Sequence, residues 1–123
     1  MDYDALTAEL CSLRERVSGV TDTLVAAIDG LLIAADTAPT LDPEGVSALA
    51  AADLGLARRT TAAIGQGTFR QTVVHSSGGY MAVYAVGPMA LMVVLGDEGL
   101  DVHRLHLESQ PVIERIDSIL STL

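Results

Sequence analysis

The sequence predicts an α/β fold, a single sheet with helices on both faces and the element order α-β-β-α-β-β-β-α. Three observations carry this. Two apolar runs are split by Asp29-Gly30. A long alanine-rich segment opens on Asp42-Pro43-Glu44. Three further strand-like runs are separated only by short glycine-containing turns. At 123 residues the chain is expected to form one domain, 1–123, with a substantial core.

The first helix is expected over Tyr3–Val17. Tyr3, Leu6, Leu10, Leu13 and Val17 recur at spacings of three or four, which places them on one helix face. Ser18-Gly19 should end it. The first strand is expected over Thr23–Ile28 and the second over Leu31–Asp36, joined by Asp29-Gly30 as a two-residue type I′ turn. Both runs are apolar at nearly every position. A sheet wet on one face would alternate apolar and polar residues, so this sheet should be covered on both.

The second helix should start with Asp42 as N-cap and Pro43 at its first position and run to about Ile64. Its apolar arc is wide. One stripe reads Val46, Leu49, Asp53, Leu56, Thr60, Ile64; a second reads Ala50, Leu54, Ala57, Thr61. Either the helix fits closely on its own sheet, or one stripe covers the sheet and the other meets a second copy of the chain.

The third strand is expected over Thr68–His75, with Phe69, Gln71, Val73 and His75 on one side. It is the most polar strand and is therefore expected at a sheet edge. A long edge without proline offers unpaired backbone groups to a partner. Strands four and five, Tyr80–Val86 and Ala90–Leu95, should complete an antiparallel meander through Ser77-Gly78-Gly79 and Gly87-Pro88. The tail should be helical from Asp101 to Leu123. Pro111 interrupts it, yet Val102, Leu105, Ser109, Val112, Ile116, Ile119 and Leu123 keep one helical phase through the proline. One long helix kinked near Pro111 is therefore expected, rather than two.

Composition narrows the function classes. Sixteen acids against seven bases give a net charge of −9, and every base is arginine. Only Arg58-Arg59 are adjacent, which argues against nucleic acid or an anionic membrane as partner. No apolar run is long enough for membrane insertion. The acidic N-terminus is unlike a signal peptide. A single cysteine, Cys11, forbids an internal disulfide and fits a reducing, cytoplasmic setting; it is expected as a small buried residue.

No catalytic, metal or cofactor site is expected, and the protein is not expected to be an enzyme. Gly65-Gln66-Gly67 lacks the third glycine of a dinucleotide loop and the lysine of a phosphate loop. His103 and His106 lie three apart within reach of Glu98 and Asp101, a spacing metal ligands can have, but they sit on the polar side of the tail stripe and no other ligand cluster is evident. His75 beside Ser76 and Ser77 has no orienting acid in a recognisable arrangement. Arg58-Arg59 either complement the dipole at the end of the second helix or form a contact patch for an acidic partner.

With these elements in place, the chain resembles the Roadblock family, named for dynein light chains and widespread in bacteria as regulators of small Ras-like GTPases. The resemblance rests on the element order, on Thr23-Leu24-Val25-Ala26-Ala27-Ile28-Asp29-Gly30-Leu31-Leu32-Ile33-Ala34, on the alanine-rich second helix, and on the pair Gly79-Tyr80-Met81 and Val93-Val94-Leu95. It implies a profilin-like or longin-like fold, with a five-stranded antiparallel sheet ordered 2-1-5-4-3. The second helix would lie on one face and the other two on the opposite face.

The resemblance further implies a homodimer through the second helix and third strand, with Leu49, Asp53, Leu56, Thr60, Phe69, Gln71 and Val73 at the interface. It implies a GTPase received near Ala52, Asp53, Arg58 and Arg59. The function expected is that of a non-enzymatic regulator or scaffold without cofactor, acting on a small GTPase. The alternative is a PAS-like or profilin-like sensory module that binds a sensor kinase or a small ligand.

Overall fold

The computed structural model describes residues 1–122. The elements are α1 (Tyr3–Arg16), β1 (Val20–Ala27), β2 (Leu32–Asp36), α2 (Pro43–Ala63), β3 (Gln71–Ser76), β4 (Gly79–Val86), β5 (Ala90–Gly96) and α3 (Val102–Leu120). The order along the chain is the expected one. The strands form an antiparallel sheet ordered β2-β1-β5-β4-β3, so β3 lies at one edge and β2 at the other.

Continuous burial of the central strands follows from cover on both faces. On one face Leu6, Leu10, Leu13 and Val17 pack with Val25, Met92 and Val94 of the sheet and with Leu105, Val112 and Ile116 of α3. On the other, Ala50 and Leu54 of α2 pack with Leu24, Ala26, Val83, Leu91 and Val93. Tyr3 departs from the expected stripe: it opens the first turn of α1 and is exposed. The buried Thr23 hydroxyl donates to the Leu10 carbonyl at 3.2 Å and pins α1 onto β1. Arg14 pairs with Asp36 of β2 at 2.6 Å and Arg115 with Glu9 at 2.7 Å. Such partly exposed pairs add only about 0.2–1 kcal/mol each, so apolar burial sets the stability.

The β1–β2 connection differs from expectation. It is a three-residue loop, Ile28-Asp29-Gly30, not a two-residue type I′ turn. Gly30 donates to the Ala27 carbonyl and Ala27 to the Leu31 carbonyl, both at 2.9 Å. A type I′ turn needs positive φ at both central residues, but only Gly30 has it (φ 92°). Asp29 keeps negative φ and its carboxylate accepts from the Leu31 amide at 3.1 Å. The turn followed by a left-handed glycine is the bulged alternative for a hairpin.

The third strand is shorter than expected, beginning at Gln71. The positive φ of Gly65 and Gly67 turns the chain before it. Phe69 therefore packs beneath α2, while Val73 faces the α1 and α3 side, so the two do not share a face.

Both long helices begin as expected. Asp42 accepts from the Gly45 amide and Asp101 from the Arg104 amide, each at 3.1 Å. Helix α3 is continuous through Pro111, and Leu105, Ser109, Val112 and Ile116 are buried on one side of it. Leu123, the last residue of the expected phase, lies outside the described residues. Pro111 has no amide to offer the Leu107 carbonyl, and Leu107 is exposed. Replacing Pro111 with Ala restores that donor. Thermal and urea unfolding are expected to show about 1–3 kcal/mol of added stability.

Candidate partner surface

Helix α2 carries two apolar stripes with opposite fates. Ala50 and Leu54 are closed against the sheet, with Leu54 only 2% exposed. Leu49 and Leu56, one or two residues away and so on another side of the helix, are 70% and 66% exposed. Ile64, the C-cap residue, and Val74 on β3 are also exposed. Leu31, Met89 and Leu107 are as exposed elsewhere, each standing singly, whereas Leu49, Leu56, Ile64 and Val74 fall on one helix and the neighbouring edge strand.

The residues expected at a dimer interface do not all share this surface. Leu49, Leu56 and Thr60 are exposed, and Asp53 is half-buried beside them. Gln71 and Val73 lie on edge strand β3, Gln71 exposed and Val73 half-buried against the α1 and α3 core. Phe69 is buried within its own protomer and offers little surface. The Asp53 Oδ2 atom is buried and has no hydrogen-bond partner among the described residues.

The residues expected near a GTPase spread around α2. Ala52 and Arg59 are exposed on its outer side. Arg58 instead reaches the β4–β5 turn, where its Nη1 donates to the Pro88 carbonyl at 3.2 Å and its Nη2 to the Gly87 carbonyl at 3.4 Å. The dipole explanation for Arg58-Arg59 does not hold, because the last turn of α2 contains no basic residue. Sequence reasoning could not find the Arg58 contact, since Gly87 and Pro88 are about thirty residues away and carry no signal of it.

Cys11 is half-buried rather than fully buried. Desolvation, then the Glu15 carboxylate 3.5 Å from the sulfur, push its thiol above the ordinary value, the opposite of a reactive cysteine. Among the described residues no three His, Cys, Asp or Glu side chains group as a metal site. No helix among them is long and apolar enough to cross a membrane.

The Tyr84 hydroxyl lies 2.5 Å from His106 Nδ1, joining β4 to α3. Burial lowers the His106 pKa, with His103 adding repulsion. Burial pushes the Tyr84 phenol up to about 12. Its folded pKa therefore stands above the unfolded value of about 10. The stabilisation is complete below pH ~10 and is lost as pH rises through ~12, because the unfolded chain gives up the proton first. An absorbance titration should show one of the three tyrosines ionising about two pH units late, and Tyr84→Phe should abolish that late step.

A family model for the Roadblock/LC7 domain matches residues 6–96, ending before α3. The protein MJ1340 of Methanocaldococcus jannaschii is 31% identical over 104 residues, covering 85% of this chain and 90% of that protein. A Roadblock/LC7 domain from Streptomyces avermitilis superposes with a TM-score of 0.89 at 23% identity, over 94% of this chain and 98% of that one. Myxococcus xanthus MglB superposes with a TM-score of 0.91 at 15% identity over the whole of both chains. The last two likenesses establish the fold.

Proposed function

The chain belongs to the Roadblock/LC7 domain family, and from that premise we propose that it is a non-enzymatic homodimeric regulator of a small Ras-like GTPase. The observation that carries this reading is the exposed stripe of α2. Leu49 and Leu56 stand in solvent on a helix whose other stripe already covers the sheet. A second copy packing on that stripe would bury them, and edge strand β3 beside it has free backbone groups to pair with its own copy. In this reading residues 1–123, with α3 included, act as one domain.

The joined α2 helices would form a platform for the GTPase, with Ala52, Asp53, Arg58 and Arg59 at or near the contact. The regulator would act by holding switch segments of the GTPase in one arrangement, using the partner's own residues for hydrolysis. It would need no cofactor. Titration with small Ras-like GTPases of the same organism, each loaded in turn with GDP and a non-hydrolysable GTP analogue, tests the reading. Binding in at least one state is expected; absence of binding in both removes the proposal.

A further inference from the structure

Helix α2 is fastened to the sheet unevenly along its length. Its buried residues are Ser47, Ala50, Ala51 and Leu54, all of them before Gly55. Beyond Leu54 the one large apolar side chain of the helix is Leu56, and it stands in solvent. The opposite face of the sheet is held more evenly. There α1 buries Leu6, Leu10 and Leu13, and α3 buries Leu105, Val112 and Ile116.

Gly55 marks the change-over. A glycine inside a helix loosens it, because it has the most backbone freedom to lose. No close contact calls for glycine here, since an added Cβ would meet nothing within 4 Å. The chain then leaves α2 through Gly65 and Gly67, where an added Cβ would also meet nothing within 4 Å. Apolar packing therefore fixes the first half of α2 much more firmly than the second.

The second half has one polar tether. Arg58 Nη1 donates to the Pro88 carbonyl at 3.2 Å and Nη2 to the Gly87 carbonyl at 3.4 Å. A planar guanidinium on two carbonyls of one turn fixes direction as well as distance. The turn is a firm anchor. Gly87 has a φ of 58°, and a Cβ there would stand 2.8 Å from Asp117 Oδ1, so α3 closes on the turn from the other side of the sheet. Two residues rotate a helix by about 200°, so Arg58 and Leu56 lie on opposite sides of α2. Holding Arg58 against the turn thus sets the direction in which Leu56 points.

We propose that Arg58 is a positioning residue for self-association: its tether to the β4–β5 turn holds the second half of α2 in the orientation at which Leu56 and Thr60 meet a second copy. The proposal rests on the homodimer reading above. It gives Arg58 a role inside its own protomer, whether or not a GTPase also touches it.

Sedimentation velocity over a dilution series tests it, with R58Q, R104Q and L54A beside the parent. R58Q should raise the dimer dissociation constant by roughly five- to tenfold, less than the full worth of a charged hydrogen bond because Arg58 is only half-buried. R104Q makes the same change in net charge at a site where the side chain reaches the Arg16 carbonyl, and should change the constant less than twofold. L54A should lower protomer stability in urea more than R58Q does, yet raise the constant of its folded fraction less. A merely structural role for Arg58 would reverse that order. Amide exchange in R58Q should quicken over 56–63 while 44–54 keep the parent's rates. A dimeric parent with an unchanged constant in R58Q would overturn the proposal and leave the homodimer standing. Equal weakening in R104Q would overturn it too, as would exchange in R58Q that quickens no more over 56–63 than over 44–54. A parent that stays monomeric fails the homodimer reading itself, and this proposal with it.

Discussion

Replacing Leu56 with Glu is expected to convert a dimer into a soluble, folded monomer. In the protomer Leu56 is 66% exposed, so the substitution removes almost no core. The change should leave the unfolding midpoint of the isolated protomer nearly where it was. At an interface between copies the same residue would be buried twice, once from each protomer. Losing that burial costs about 1.5–3 kcal/mol per leucine, and two buried carboxylates add to it. The dissociation constant should rise by roughly a thousandfold or more. Sedimentation velocity over a dilution series would read it. Persistence of the parent's dimer in Leu56→Glu would place the interface elsewhere.

Replacing Leu54 with Ala, two residues earlier, is expected to do the reverse. Leu54 is buried between α2 and the sheet, among Leu24, Val83, Leu91 and Val93. Its truncation leaves a cavity that the surrounding strands, paired on both sides, cannot close. The cost should be about 2–5 kcal/mol of unfolding free energy, read from urea denaturation. The self-association surface should survive in the fraction that remains folded. The pair of variants separates the two stripes of one helix: one change attacks assembly, the other the protomer.

The two stripes were legible in the sequence because a helix repeats every 3.6 residues and α2 has apolar groups on more of its circumference than one sheet can cover. The same physics made α3 legible across Pro111, since the phase of Leu105, Ser109, Val112 and Ile116 ignores the proline. The Asp42 and Asp101 caps were readable because capping is local. The misses have a common cause in longer-range or finer geometry. Asp29-Gly30 announced a hairpin, but whether the loop has two or three residues depends on pairing register across β1 and β2. Phe69 was assigned by strand alternation to a stretch that is not yet strand. The anchoring of Arg58 on Gly87 and Pro88 joins positions with no shared sequence pattern. The orphaned oxygen of Asp53 is visible only once its neighbours have been folded around it.

Asp53 and the exposed leucines share a physical meaning. Leu49 and Leu56 expose apolar area, and Asp53 holds a buried carboxylate oxygen beside them. Polar replacements of Leu49 and Leu56 would remove exposed apolar area. Their placement on one helix makes sense if α2 is a contact surface and not only a cover for the sheet.

The measurement that tests this most directly is the molar mass of the unmodified protein in solution, by sedimentation equilibrium at micromolar concentration. The account predicts a mass twice the 12.8 kDa of the chain. A mass of 12.8 kDa across the whole concentration range would contradict it.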